Sequence, residues 1–262
     1  MIIYNLYPNG KTKALTMSYD DGRDHDIRLT EIFNKYGIKG TFHLNSNFFG
    51  RDNYITAEQI PDLFNGHEVS VHTCTHPSLV TVPKERIIKE VINDRRQLEE
   101  IVGYPIRGMS YPYGTYNDEV VSVLGQLGME YSRTTVSTNN FNLPSDFMRW
   151  HPTCHHKGDI INKLETFKTV RGNMPLFYVW GHSYEFPNDN NWDMIETFCG
   201  QVSEMNDVWF ATNIEIVDYL NAIKNLKVSV NEDMIYNPSA ISVWVTADNT
   251  TVEILPGLNN II

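Results

Sequence analysis

Four short segments hold the residue types from which a hydrolytic site can be assembled: Asp20-Asp21-Gly22, His72-Thr73-Cys74-Thr75-His76, Pro112-Tyr113-Gly114 and Gly181-His182. Two imidazoles four residues apart reach one metal ion if the backbone between them turns helically; otherwise His72 and His76 are one surface and one half-buried histidine. Asp20 and Asp21, with Gly22 behind them, suit a solvated turn or a helix cap. The same turn can aim the two carboxylates in different directions, one toward a metal and one toward a reacting water as base. His182 ends the apolar run 176–180, and is either an edge of the core or a general acid/base titrating near neutral pH. Tyr113-Gly114 is a tight turn whose backbone N–H can stabilise an oxyanion, or a plain turn. Two His and one Asp around a divalent ion leave positions open for water and substrate, the mark of a catalytic rather than a structural site. Such an ion polarises a carbonyl and lowers the pKa of its water, so the set as a whole points to a hydrolase.

Each segment lies at the end of a β-like run, and this common position is what lets the four meet. β-rich runs occupy 13–19, 39–44, 68–72, 107–111, 129–134, 175–181 and 208–212, with helical candidates between them. The clearest helix is 83–102, where Ile87, Val91, Leu98 and Ile101 recur at helical steps, Pro83 suits the first turn and Gly103 the end. Others cover 26–36, stopped by Gly37, 116–127, stopped by Gly128, and 191–205, opened by Asn190 or Asn191. Seven strand-then-helix units imply right-handed crossovers and a mainly parallel sheet, closed as a barrel or open and doubly wound. No G-x-G-x-x-G follows the first strand, which disfavours a dinucleotide-binding sheet. In a parallel barrel all the strand ends share one rim. Residues 226–255 differ: three β-like runs with turn signals at Asn237-Pro238 and Asp248-Asn249 suggest a small antiparallel appendage. The expected division is therefore a barrel domain over 1–225 and a β-rich appendage over 226–262.

Composition narrows the partners. The chain of 262 residues carries a formal net charge of −11, which argues against nucleic acid, a partner that needs an excess of Lys and Arg on one face. No apolar run approaches the roughly 18–20 residues that span a bilayer. The first eight residues have no basic segment and no long apolar segment, so no signal peptide is visible and a cytoplasmic location is expected. Three cysteines, Cys74, Cys154 and Cys199, cannot build a disulfide framework. The sequence is silent on oligomeric state.

At these motifs the sequence resembles the NodB-homology polysaccharide deacetylases, carbohydrate esterase family 4. The likeness covers roughly residues 12–220. Thr16-Met17-Ser18-Tyr19-Asp20-Asp21-Gly22 is similar to the family's T-F-D-D-G motif. The stretch from Gly66-His67-Glu68 to His72-Thr73-Cys74-Thr75-His76-Pro77 is similar to G-H-E-[IV]-x-x-H-[ST]-x-x-H-P. Ser110-Tyr111-Pro112-Tyr113-Gly114 matches R-x-P-Y-G apart from its Arg, and Tyr178-Val179-Trp180-Gly181-His182 resembles the last motif. The resemblance implies a distorted (β/α)7 barrel, a TIM-like α/β fold. It also implies metal ligands Asp21, His72 and His76, a catalytic base Asp20, a general acid His182 and an oxyanion donor in the Tyr113 N–H. The implied cofactor is a divalent ion, zinc first, with cobalt, nickel or manganese as substitutes. The implied substrate is an N- or O-acetylated carbohydrate. Trp150 falls near the family's aromatic groove wall, and Tyr111 and Trp180 flank motif residues, so these three are the expected sugar-stacking rings.

Two departures and one extra stand out. The family Arg that tethers the catalytic Asp is Ser110 here, with Arg107 three residues earlier as a substitute if the backbone permits. The carboxylate partner of His182 is either Glu185 or Asp146. The run 150–156 packs His151, Cys154, His155 and His156 together, which fits a second metal site, substrate contacts or a polar rim loop. The missing Arg and the absent export signal keep open a NodB-type hydrolase of a small non-sugar amide, of the allantoinase or cyclic imide hydrolase kind. A non-catalytic carbohydrate-binding barrel is a third reading, disfavoured because Asp20, Asp21 and His182 are all present.

Overall fold

The computed structural model describes residues 1–261. A two-residue strand, β1 (Ile2–Ile3), precedes the barrel strands β2 (Lys13–Asp20), β3 (Gly40–Leu44), β4 (Glu68–Val71), β5 (Gly108–Ser110), β6 (Tyr131–Arg133), β7 (Cys154–His155), β8 (Leu176–Gly181) and β9 (Val208–Phe210). They form one curled parallel sheet in the order β6-β5-β4-β3-β2-β8-β7, with β9 paired to β2. β9 pairs with Lys13–Leu15 and β3 with Met17–Asp20, while β8 runs beside Ala14–Tyr19. The seven expected strands are all present, as is the barrel. The added strand, β7, lies in the histidine-rich run. β6 and β7 do not pair; the Trp150 backbone bridges to β6 instead, through Trp150 N to Ser132 O at 3.0 Å and Thr134 N to Trp150 O at 3.0 Å.

The alternation of a pleated strand explains why the strand ends are polar. Leu15, Met17 and Tyr19 of β2 enter the large apolar cluster with the helices, and the intervening residues turn to the other face. There Thr16 donates to Asn213 at 2.8 Å, and Ser18 Oγ meets His43 Nε2 at 2.9 Å. Asp20 is the last residue on that face. The barrel interior is thus a polar lining in which most groups are hydrogen-bonded, with His43 Nδ1, Ser132 Oγ and Arg133 Nε left without a partner among the described residues.

The helices are α1 (Asp26–Lys35), the short α2 (Ile60–Leu63), α3 (Lys84–Val102), α4 (Asp118–Gln126), α5 (Ile160–Thr169), the short α6 (Glu185–Asn188), α7 (Trp192–Ser203) and α8 (Asn213–Asn225). Their ends follow local chemistry. Gly103 closes α3 in the left-handed region at φ 77°. Asn117 caps α4 by accepting from Val120 N, and Thr212 with Glu215 forms a capping box on α8. No helix among the described residues is long and apolar enough to cross a membrane.

The tail is more elaborate than three runs. It holds β10 (Lys227–Val228), β11 (Met234–Asn237), β12 (Val243–Ala247), β13 (Thr250–Ile254) and β14 (Gly257–Asn260) in two antiparallel sheets. β1 pairs with β12, Ile2 opposite Ala247. Val243, Val245 and Ile254 share a buried cluster with Tyr7, Tyr178, Ile216 and Tyr219, so tail and barrel have one continuous apolar core at this end.

Candidate active site and metal centre

The expected rim exists, and strained backbone shapes it. Asp21, Thr73, His76 and Tyr113 are non-glycine residues in the left-handed region, at φ 81°, 70°, 55° and 58°. Each costs on the order of 1–3 kcal/mol and persists only where the surroundings enforce it. His72 and His76 therefore do not sit on a helical turn; Thr73 and His76 bend a loop that brings both rings to one side. That loop is tied down from several directions. Asn45 Nδ2 donates to the carbonyls of His72 and Thr73 at 2.6 and 2.8 Å. Asp94 of α3 accepts from His72 N at 3.1 Å, and Glu90 accepts from Thr75 N at 2.8 Å. Both acids are buried on the inward face of α3. Acidic residues spaced i, i+4 within an apolar stripe were the sequence signal for them.

The three expected ligands converge. Asp21 Oδ1 lies 3.6 Å from His72 Nε2 and 3.8 Å from His76 Nε2. Two donors each about 2.0–2.1 Å from a tetrahedral ion are about 3.3 Å apart, so the set needs only a slight contraction to hold zinc. Burial, with His72 beside it, pulls the His76 pKa down to about 4, so the ring is neutral and offers a lone pair. His72 Nδ1 faces Ser110, at 2.9 Å from its carbonyl and 2.7 Å from its hydroxyl, which fixes the ring and leaves Nε2 for the ion. One carboxylate oxygen and two imidazole nitrogens suit a divalent ion of the zinc class.

Asp20 stands beside this set, its Oδ2 3.8 Å from His72 Nε2. Ser110 Oγ donates to its other oxygen at 3.1 Å. The guanidinium that reaches Asp20 belongs to Arg133, at the end of β6, which donates from Nη2 to Oδ2. Arg133 is fully buried and stacks on Trp180, its Cζ 4.4 Å from the ring centroid. Arg107 is no substitute for the missing motif residue: it pairs with Glu130 at 2.9 Å and Asp218 at 2.7 Å, away from Asp20. The register pairs Ser110 with Arg133, so the charge has moved one strand sideways. Burial pushes the Asp20 carboxyl up, but Arg133, with His72, His43 and His182 behind it, outweighs this and holds it well below the usual carboxylate range. Asp20 is an anion with one face toward the Asp21-His72-His76 donor set.

His182 closes the opposite side. Glu185 Oε2 lies 3.3 Å from His182 Nδ1 and accepts from His182 N at 3.1 Å. Of the two carboxylates considered, Glu185 is the partner; Asp146 instead caps Met148 N at 2.8 Å and pairs with Arg149. Burial lowers the His182 pKa, but the Glu185 contact and the charges of Asp20 and Asp21 prevail and raise it above the ordinary value. Beneath, Asp26 is fully buried, its two oxygens without a hydrogen-bond partner among the described residues. Burial, with Asp21 and Asp20 adding to it, pushes its pKa up to about 8 against the opposing pull of the nearby Ser183 hydroxyl and His182.

The expected sugar-stacking rings need correcting. Tyr111 and Trp150 are each 1% exposed. Tyr111 donates to Met148 O at 2.7 Å and stacks on Tyr116, and Trp150 is wedged among Tyr131, Phe147 and Tyr178. Neither has a free face. Trp180, 9% exposed, lies under the site against Arg133 and His155. The open ring at the rim is Tyr113, 66% exposed and edge-on to His76, with half-buried Tyr184 beside His182. Gly114 shapes the Tyr113 turn: its φ is 67° and a Cβ there would lie 2.1 Å from Thr135 Oγ1. The histidine-rich run divides. His151 turns to Thr134 at 2.6 Å and Cys154 is buried in the core, while His155 and His156 both face Glu185.

Comparison with known proteins bears out the family resemblance. Residues 8–132 match the family model described as polysaccharide deacetylase. Chitin deacetylase 1 of Cryptococcus neoformans is 27% identical over 138 residues, 52% of this chain and 28% of that protein. A Mycobacterium smegmatis structure solved as a candidate polysaccharide deacetylase superposes with a TM-score of 0.64 at 18% identity, over 83% of this chain and 93% of the other. A family 4 acetyl xylan esterase from Clostridium thermocellum, solved with a cobalt ion, gives 0.52 at 15% identity, over 78% and 90%. These structural likenesses show the fold. The match spans less than half the length of the curated relatives.

Proposed function

We propose that this polysaccharide-deacetylase-type barrel is a metal-dependent hydrolase that removes acetyl groups from an N- or O-acetylated carbohydrate. What carries the reading is the convergence on one rim of an Asp-His-His donor set, an anionic Asp20 and a His182 paired with Glu185. A zinc-class ion held by Asp21, His72 and His76 would polarise the acetyl carbonyl and acidify a water.

The chain's own groups supply the rest. Asp20, kept ionised by Arg133, takes the proton of the attacking water as general base. The Tyr113 backbone N–H, carried by the strained turn beside His76, would donate to the developing oxyanion. His182, protonated with the help of Glu185, gives its proton to the leaving amine or alcohol. Arg133 also removes the missing tether as a motive for a non-sugar amide substrate.

The test is acetate release from N-acetylglucosamine oligomers and acetylated xylan, with metal content measured on the same preparation. Asp20→Asn should lower the rate by about 10²–10⁴-fold, the usual worth of a general base, and His72→Ala should lower metal content. Full activity in the first or unchanged metal in the second overturns the corresponding role.

A further inference from the structure

Glu185 receives more than the mechanism above uses. His155 Nε2 lies 3.0 Å from Glu185 Oε2, the oxygen that also faces His182. Lys157 Nζ lies 3.2 Å from the other oxygen and 2.6 Å from Asp189. The backbone N–H of Lys157 donates to His155 Nδ1 at 3.2 Å. That bond occupies the Nδ1 lone pair, so a neutral His155 carries its proton on Nε2 and points it at Glu185. The backbone is built for this approach: β7 pairs His155 with Trp180, and His156 N bonds to Trp180 O at 2.8 Å. Gly181 leaves room for the turn, since a Cβ there would lie 2.0 Å from His156 Nδ1.

We propose that His155 and Lys157 are positioning residues for His182, acting through Glu185. His155 holds Oε2 by an N–H donor, and Lys157 balances charge at Oε1, so the carboxylate is locked at one orientation and its pull on the His182 ring is moderated. The groups acting on His182 are then Glu185 with His155, His156 and Lys157 behind it, Asp20 and Asp21 from the end of β2, Asp26 from α1, His76 from the loop after β4, and the Trp180 and Tyr184 rings. The spacing of His155, His156 and Glu185 also fits a cation. The proton on His155 Nε2 and the ammonium on the same carboxylate favour the hydrogen-bonded arrangement instead.

This inference rests on the acid role proposed for His182, but its test is read without turnover. In zinc-loaded protein, NMR follows the titration of the His182 ring, assigned by difference from His182→Gln. Removing the donor in His155→Leu, or the neighbouring charge in Lys157→Met, leaves Glu185 a stronger acceptor and should raise the His182 pKa. The Lys157 effect is about half a pH unit, the size expected for a unit charge taken at about 6 Å in a water-like dielectric. In acetate release, His155→Leu should lower kcat about tenfold with KM little changed, and His155→Gln, which keeps an N–H donor, should restore most of it. A His182 titration unmoved in both His155→Leu and Lys157→Met overturns the proposal. So does a second equivalent of bound Zn(II) that His155→Leu abolishes. A protein that releases no acetate but shows the shifted titration sinks the deacetylase reading and leaves the positioning intact.

Discussion

Replacing Arg133 by methionine tests whether a guanidinium displaced to a neighbouring strand governs the proposed base. Both partners are buried, Arg133 fully and Asp20 to 3% exposure. Unit charges about 4 Å apart at an effective dielectric of 20 interact by about 4 kcal/mol, and about 1.4 kcal/mol corresponds to one pH unit. Removing Arg133 should therefore move the acid limb of kcat/KM upward by roughly three pH units. Ser110 Oγ at 3.1 Å remains as support but carries no charge. The folded-state pKa of wild-type Asp20 is depressed, so its contribution to stability is present above the unfolded value of 3.8 and lost as the pH falls through the folded one. In Arg133→Met burial dominates and the sign reverses, so the variant is penalised at pH 8 and recovers toward pH 4. Breaking one side of a buried pair costs roughly 3–5 kcal/mol, which urea unfolding at pH 8 measures. Arg107→Met is the control; its partly exposed pairs are worth up to about 1 kcal/mol, and its pH profile should match wild type. An Arg133→Met enzyme with an unmoved acid limb and wild-type unfolding would refute the reasoning.

Two further outcomes follow from the same fields. In Glu185→Gln the contact that raises the His182 pKa is lost and burial prevails, so activity that needs protonated His182 should fail at lower pH; a fixed alkaline limb in kcat/KM would contradict this. Asp26 has a folded pKa pushed up to about 8, so the stability it contributes is full below 3.8 and lost as the pH rises toward 8. Asp26→Asn, unfolded in urea with chelator present, should flatten the fall in stability over that window by about 1 kcal/mol per pH unit; parallel curves would show Asp26 already ionised.

The sequence made the strands legible because a parallel barrel repeats its signal: seven runs of β-formers, four of them ending at the segments that carry the candidate site residues. The candidate ligands were legible because His72 and His76 lie close in the chain and Asp21 follows a recognisable strand. Arg133 was not, because nothing in its neighbourhood marks it; only the register opposite Ser110 aims it at Asp20. Tyr111 and Trp150 misled for the opposite reason, since being next to a motif in sequence does not say which side of a pleat a ring takes. Glu185 was one of two open choices until the turn after β8 placed its carboxylate against the His182 backbone. The extra tail strands β11 and β14 pair with each other, and they escaped notice because Gly257–Asn260 is rich in residue types that strands avoid.

The strand β2 is bonded to three neighbours along its length and buried at every residue. Amides held this way open only with the whole molecule, whereas short loop-borne elements open at much lower cost. Asp20 and Asp21 sit at the end of that anchored segment, while His182 and Glu185 ride on a turn leading into a four-residue helix and Tyr113 on an exposed bend. The two sides of the site therefore fail in sequence under mild heat or denaturant. On the proposed mechanism the proton-donating side loosens first, and a population forms that retains its spectroscopic fold yet turns nothing over. On the proposed mechanism, activity would be the earliest reporter of damage to this protein, ahead of its spectroscopic fold.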